Sequence, residues 1–478
     1  MKSVWSESCK FDKRKRLDRD IETDILVIGA GIAGILIGYF LKESGREVIL
    51  IDKSEIASGN IKNTTAKITA QHDLIYHKLI KEFGEEKARQ YANANKTAIR
   101  QYKEIIDRRK IDCEFEEQSA YVYSLGDIEE IIKEVEAAAK LGIDAEFVKE
   151  VELPFKINGA VKFNKQAQFN PLKFLKDISK DLVIYEDTKA LEVKENKVIT
   201  NGGIIKANHI VVATHYPIIN MPGYYFMKMH QERSYVIALD NVKKFKGMYI
   251  DLDKSGYSFR FYNNLLLLGG VSQRTGENES GGSYDKLRDI AKDLFPDSKE
   301  KYHWSAQDCM TLDKIPYIGN YSNKTPNIYV ATGFNKWGMT SSMVSAIIIS
   351  DMILGRKNEF SDIFSPNRFN LSLSIKNIAK DLVETSKNFI AQKIYLPSNS
   401  IEHIDNGHGG LVDYNGDKIG VYKDKDGKVF AVSTKCSHLG CQLQWNADEL
   451  TWDCPCHGSR FNYEGYLIES PAIKDIKE

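Results

Sequence analysis

The sequence predicts a large α/β unit built on a parallel sheet, with an antiparallel α+β layer over it, followed by a small all-β unit. Three observations carry this. An uncharged run punctuated by glycines lies between Asp24 and Asp52, alternating hairpin patterns occur in the middle of the chain, and residues after 395 change to short strands around a cysteine and histidine cluster.

At 478 residues the chain is long enough for two or three domains and a sizeable interior. Its 66 basic residues balance 66 acidic ones, so no global field recruits nucleic acid or an anionic membrane, and a small molecule or another protein is the expected partner. Only Cys9, Cys113 and Cys309 lie outside the C-terminal cluster, a distribution that suits a reducing compartment with one special site. The stretch from Ile25 to Leu41 imitates a signal or anchor segment. Glycines at 29, 31, 34 and 38 interrupt it, and Asp24 and Lys42 bound it. A buried strand and helix of a soluble cytoplasmic protein, with no integral membrane segment, is the expectation.

The stretch DILVIGAGIAGILIGYFLKESGREVILID reads as strand, turn, helix, strand. Gly29 permits the turn, Gly31 lets the backbone approach a pyrophosphate, and Gly34 lets helix and strand pack closely. Asp52 ends the second strand eighteen residues after Gly34, where a carboxylate accepts hydrogen bonds from ribose hydroxyls. This is a Rossmann-type dinucleotide site.

An NAD domain completes its sheet soon after such a motif, whereas here the matching pieces return late. IIKANHIVVATHYP ends a strand at Ala213 and Thr214; NIYVATGFNKWGMTSSMVSAIIISDMILG gives another strand, a loop from Gly333 to Gly338, and a long helix. The start of that helix, worth about half a positive charge, suits the electron-rich edge of a reduced flavin.

These pieces resemble the FAD-dependent amine and amino-acid oxidase family that includes D-amino-acid, glycine and sarcosine oxidases. The resemblance covers about residues 22 to 356 and rests on Gly29, Gly31, Gly34, Asp52, the ASG at 57 to 59, FNP at 169 to 171, ATH at 213 to 215 and DKIPYIG followed by YVATGFNKWG. It implies FAD as cofactor and an antiparallel substrate layer over the flavin. The hairpin YSFRFYNNLLLLGG, turning at Asn263 and Asn264, fits such a layer independently. By the same resemblance Ser58, Thr64, Thr65 and Lys67 contact the cofactor, with Thr214, Gly333, Gly338 and Met339. His72 carries less weight. Two departures stand out. Leu267 or its neighbours occupy the place of the lysine kept by oxygen-using relatives of sarcosine oxidase, and Met339 and Thr340 stand where amino-acid-binding members place a basic side chain. Lys336, Arg233 and Arg260 are the remaining candidates for an anionic substrate, although a surface lysine and sheet-packing arginines are expected. Cys309 lies near where some relatives attach flavin covalently, although an ordinary buried thiol is expected.

The middle segments EEKARQYANANKTAIRQYKEIIDRRK and IEEIIKEVEAAAKLG read as amphipathic scaffold helices. The expected division is an N-terminal arm over 1–21, a discontinuous FAD-dependent oxidoreductase domain with cofactor and substrate subdomains over 22–365, a helical linker over 366–395, and a C-terminal domain over 396–478.

In that last domain GDKIGVYKDKDGKVFAVST alternates around an Asp426-Gly427 turn, a hairpin. Beyond it Cys436-x-His438 and Cys454-x-x-His457 are separated by fifteen residues. Two thiolates can hold one iron of a 2Fe-2S cluster and two imidazoles the other, which places its potential in the range of roughly −150 to +300 mV. A structural zinc site is the alternative; it explains four ligands but not Gly440, two further cysteines or the HGS ending. CSHLGC and CPCHGS closely resemble the Rieske domains of cytochrome bc and b6f complexes. Within that resemblance Cys441 and Cys456, one in each loop, come close enough for a disulfide if both loops fold around the cluster. Ser459 matches a serine donating to a bridging sulfide, and Phe461 replaces a tyrosine that donates to a ligand sulfur in high-potential members, so a lower midpoint is expected.

The two resemblances imply an FAD-dependent oxidoreductase acting on a C–N bond of an amine or modified amino acid, with electrons leaving singly through the cluster. No side chain is assigned as catalytic base. An external one-electron acceptor protein is a candidate partner. Two alternatives stay open: an electron-transfer flavoprotein fed by a protein carrier through the cluster, and a non-enzymatic redox sensor.

Overall fold

The computed structural model describes residues 2–252, 256–278, 280–368, 401–414 and 416–477. Most of the connector expected over 366–395 lies outside the described residues.

The uncharged run forms the strand Ile21–Ile28 and the helix Ile32–Glu43. Residues 25 to 28 of the strand are buried because it lies between two parallel neighbours, Val48–Ile51 and Ile204–Val212. The strand Ile328–Thr332 adds in parallel beyond 204–212, and Val183–Tyr185 beyond 48–51. Tyr317–Asn320 closes one edge antiparallel, and a hairpin of Ala190–Lys194 with Lys197–Thr200 extends 204–212. The ends of these five parallel strands thus share one edge of the sheet. There the chain places Gly29, Asp52, Thr214 and the Gly333–Gly338 loop, the usual position of a ligand in a sheet of this kind. The helix Gly338–Ile353 packs against Ile32–Glu43, and both are buried almost all round.

The second layer is a nine-stranded sheet, in order Lys299–Thr311, Met229–Asp240, Leu265–Arg274, Ser258–Tyr262, Met248–Asp251, Glu116–Ser124, Gly159–Gln168 and Lys67–Ile68, with Ala145–Val148 off the path. It is antiparallel apart from one parallel join between 248–251 and 116–124. The expected hairpin is present, pairing Tyr262 with Leu265, and Asn263 takes the left-handed φ of +52° that its turn requires. Helices Glu85–Arg109 and Glu129–Lys140 form the charged scaffold. Among the described residues, no helix is long and apolar enough to cross a membrane.

The N-terminal arm is part of the core. Trp5, on the short helix Val4–Ser8, is fully buried; its indole donates to the Thr64 carbonyl at 2.7 Å and packs 4.5 Å from the Tyr262 ring. A chain end with so large a buried side chain is tied to the domain it covers.

The C-terminal unit is all β. One sheet contains Gly409–Tyr414, Asp417–Lys423 and Val429–Ser433, the last two joined by the Asp426-Gly427 turn. The other contains Gln444–Asn446, Thr451–Asp453, Arg460–Asn462 and Leu467–Glu469. Trp445 and Trp452 pack 4.8 Å apart with their rings tilted, against Gly409 and Gly420, where any side chain would strike an indole. This unit docks on the nine-stranded sheet through buried charge. Arg233 pairs with Glu449 at 2.6 Å, and Arg460 pairs with Glu449 at 3.1 Å and with Asp453 at 3.0 Å. Breaking such a buried pair by removing one partner costs about 3–5 kcal/mol, which makes the docking strongly specified.

Candidate functional site

Each glycine of the N-terminal motif has a distinct job. A Cβ on Gly29 would stand 2.5 Å from the Ala213 carbonyl oxygen, so this position serves contact between neighbouring strand ends as well as the turn at φ +109°. A Cβ on Gly34 would stand 1.9 Å from the Gly29 oxygen, so the helix can rest on the strand only without it. Gly31 meets nothing within 4 Å, which leaves its backbone open to a ligand. It caps the helix without any side-chain hydrogen bond, and so does Trp337 before Gly338. Two helix starts therefore offer N–H groups without a side-chain cap toward one space.

That space is a cavity of about 1150 Å³ between the two sheets. Gly29, Gly31, Asp52 and Ser58 border one end; Thr64, Thr65, Lys67 and Thr214 border its length. Gly338 and Met339 border it too, whereas Gly34 and Gly333 stand behind the wall and act through backbone packing. Asp52 is fixed in place, accepting from the Ala30 amide at 2.8 Å and the Ser54 amide at 2.9 Å. Both of its oxygens keep a lone pair for ribose hydroxyls.

Other candidates are already engaged. His72 is buried, hydrogen-bonded to Tyr91 and Thr69 and stacked on Trp337, and burial pushes its pKa down to about 3, so it is a neutral structural residue. Arg233 and Lys336 border the cavity but pair with Glu449 and Glu232. Arg260 donates to the Ala66 carbonyl at 2.8 Å and lies over the Trp5 ring, outside the cavity wall. Leu267 belongs to the apolar core. Cys309 is a fully buried thiol on the wall, which burial pushes well above the usual range.

The C-terminal loops bring all four expected ligands together. The rings of His438 and His457 lie 5.0 Å apart, and the Nδ1 atoms of both are buried without a hydrogen-bond partner. Burial pushes their pKa values down to about 4 and about 3, the neutral state that binds metal. Cys436 and Cys454 are buried free thiols in contact with each other, and the hydrogen bond between them lowers the pKa of Cys436. Two adjacent imidazoles and two adjacent thiols, one of each from either loop, are the donor set that a histidine-ligated 2Fe-2S cluster takes. Cys441 and Cys456 are joined in a disulfide with Cα atoms 6.6 Å apart. Ser459 is fully buried; its hydroxyl accepts from the Ala472 amide at 2.9 Å and contacts Cys436. Phe461 is buried in the apolar cluster that holds the four loop cysteines.

Residues 24–352 match the FAD dependent oxidoreductase family, and residues 396–478 match the Rieske [2Fe-2S] domain. The chain belongs to the FAD-dependent oxidoreductase family. It carries a C-terminal Rieske domain, and FAD and a 2Fe-2S cluster are its cofactors. A full-length relative is the Putative Rieske 2Fe-2S iron-sulfur protein YhfW of Bacillus subtilis (strain 168), 38% identical over 100% of this chain and 97% of its own length. The cytochrome b6-f complex iron-sulfur subunit of Microcystis aeruginosa is 44% identical, but over only 11% of this chain and 29% of its own length. Among solved structures, L-proline dehydrogenase from P. horikoshii superposes with a TM-score of 0.61 at 18% identity, covering 73% of this chain and 98% of that one. Glycine oxidase from Geobacillus kaustophilus superposes with a TM-score of 0.60 at 18% identity, covering 73% and 99%. These two share the fold of the oxidoreductase domain.

Several residues of this FAD-dependent oxidoreductase were invisible to motif reading. Asn220 Oδ1 accepts from His438 Nε2 at 3.1 Å, and Phe226 packs edge-on to both histidine rings. Gln231, Gln307 and Arg274 hold the second cluster loop from the oxidoreductase side. Glutamine and asparagine on strands or turns carry no local signature, and only the tertiary fold reveals them.

Proposed function

We propose that this FAD-dependent oxidoreductase oxidises a C–N bond of an amine or modified amino acid and delivers the electrons singly to its Rieske cluster. The seat of the loop Cys454–Ser459 is the observation behind this reading. Gln231 Nε2 donates to the His457 carbonyl at 2.8 Å, and Gln307 Nε2 donates to the Gly458 carbonyl at 2.8 Å. Cys309, on the same strand as Gln307, borders the cofactor cavity and lies 3.7 Å from Gln231 Oε1. The cofactor cavity and the cluster loop therefore share one wall.

Bound FAD supplies the two-electron oxidation, and the cluster a one-electron exit. This chain's residues handle charge and protons. Lys67 borders the cavity; burial, reinforced by the Arg260 charge and opposed by Asp73, pushes its pKa down to about 7. Near neutrality it can take a proton from a substrate ammonium, which must be a neutral amine to give up hydride. Asp73 and Asp308 border the same cavity, and burial holds both carboxyls above the usual carboxylate range. Fold neighbours named for proline and glycine support an amino-acid-like amine.

Anaerobic mixing with amines and N-modified amino acids, followed by absorbance and low-temperature EPR, tests the reading. Flavin bleaching with appearance of the reduced-cluster signal is expected. Bleaching that never reaches the cluster refutes the electron exit, and bleaching only by a reduced protein carrier refutes C–N oxidation.

A further inference from the structure

We propose that the segment Leu467–Ile473 of the Rieske domain is part of the FAD site and closes its Asp52 end, so that FAD enters and leaves only when this domain undocks. The inference rests on FAD binding alone and holds whatever the substrate or direction of electron flow.

The wall of the cavity is not supplied by the oxidoreductase domain alone. Ile468, Glu469, Ser470, Ala472 and Ile473 border it, with Lys53 and Lys189 on the facing side. Lys53 follows Asp52 in the chain, and its Nζ donates to the Ile468 carbonyl at 3.2 Å. Lys189 lies just after the strand Val183–Tyr185, the neighbour of the Asp52 strand, and donates to the Ile473 carbonyl at 2.7 Å. Both ends of the segment are thus tied across the tip of the dinucleotide-binding sheet. Its middle is tied by Gln231, which donates to the Ser470 carbonyl at 3.0 Å. Glu469 is held by Arg233 at 3.4 Å and Arg460 at 3.3 Å.

The character of the segment suits a nucleotide. Ile468 and Ile473 remain 40% and 46% exposed while bordering the cavity. Apolar side chains left exposed beside a carboxylate positioned for ribose present the surface that a flat heteroaromatic base covers well. The two lysines that hold the segment also border the cavity and add positive charge to its wall, to which Gly31 contributes open backbone. The segment moves only as part of a larger body, because the same domain is also anchored outside the cavity wall. Arg274 donates to the carbonyls of Pro455 and Cys456 at 3.1 and 3.2 Å, and a Cβ on Gly276 would stand 2.6 Å from the Pro455 nitrogen.

A gate and a mere contact differ kinetically: opening a gate speeds entry and exit together, whereas removing a contact speeds exit alone. Two full-length variants separate them, each with its cluster verified by EPR. One carries Arg274→Met with Gly276→Ala, which loosens docking through residues outside the cavity wall; the other carries Lys53→Met with Lys189→Met, which frees the segment itself. FAD release is followed from the holoprotein with an excess apoflavoprotein trap. FAD uptake is followed by fluorescence quenching on the full chain stripped of flavin. Both rates are expected to rise by about tenfold in at least one variant, the order set by losing two hydrogen bonds. Rates unchanged in both variants, or faster release without faster uptake, overturn the proposal.

Discussion

Gln231 Nε2 stands between the two domains as a shared donor, 2.8 Å from the carbonyl of the cluster ligand His457 and 3.0 Å from that of Ser470. Gln231→Leu preserves volume but leaves both carbonyls without this donor, at a cost of about 1–3 kcal/mol in docking. The expected outcome is a protein with both cofactors in full occupancy and roughly tenfold slower passage of electrons from flavin to cluster, a tenfold change corresponding to about 1.4 kcal/mol. Stopped-flow absorbance after anaerobic reduction of the flavin measures it. An unchanged rate removes Gln231 from the interdomain path.

The potential of the cluster depends on the donors around its sulfurs. Ser459 is fully buried against Cys436, and Phe461 lies in the same apolar cluster but brings no hydroxyl. Ser459→Ala is expected to lower the midpoint and Phe461→Tyr to raise it. Each donor is worth about 1 kcal/mol, or roughly 40–60 mV for a one-electron couple. Redox titration monitored by EPR decides, and a Phe461→Tyr midpoint at or below the parent value refutes the assignment.

What the sequence disclosed was what local spacing specifies. Gly29, Gly31, Gly34 and Asp52 lie within one strand–helix–strand unit, and Cys436 to His457 lie within two adjoining loops, so the chain's own continuity brings each set together. The hairpins at Asn263 and Gly427 were legible for the same reason. Arg233 shows the limit. Alternation places it on a strand, but nothing local reveals Glu449, more than two hundred residues away, which claims its charge at 2.6 Å. Trp5, Asn220 and Gln307 are similar: each acts on a partner brought near by the packing of separate layers.

Gly34 offers a stringent test of the dinucleotide site. The Cβ of Gly34→Ala would lie 1.9 Å from the Gly29 oxygen, a backbone atom that cannot swing aside. The helix must lift from the strand, at about 1–3 kcal/mol or more for overpacking, which displaces the Gly31 N–H groups. The variant is expected to purify with its Rieske EPR signal but with little flavin and a lower melting temperature. Stoichiometric FAD in this variant would show that the helix start is not where the pyrophosphate binds.

Lys67 gives the pH dependence its sign. Burial lowers its pKa to about 7, far below the ordinary lysine value, so the free enzyme carries a protonated, positively charged Lys67 in acid and a neutral amine above neutrality. Only the neutral form accepts a proton from a substrate ammonium. The value of kcat/KM with an amine is therefore expected to rise with pH through about 7, and Lys67→Met, compared at equal FAD occupancy, is expected to abolish that limb. The same shift acts on stability in the same direction. Between the folded pKa near 7 and the unfolded value near 10.5 the unfolded chain binds the extra proton, so the Lys67 contribution to stability grows with pH across that window. Below pH 7 both states are protonated and the full penalty of burying the charge is present. Removing the amine should thus stabilise the variant most in the acidic range and progressively less toward pH 10, which thermal unfolding of the parent and Lys67→Met proteins across pH measures. A variant that retains the acidic limb of kcat/KM would assign that ionisation to the substrate amine instead.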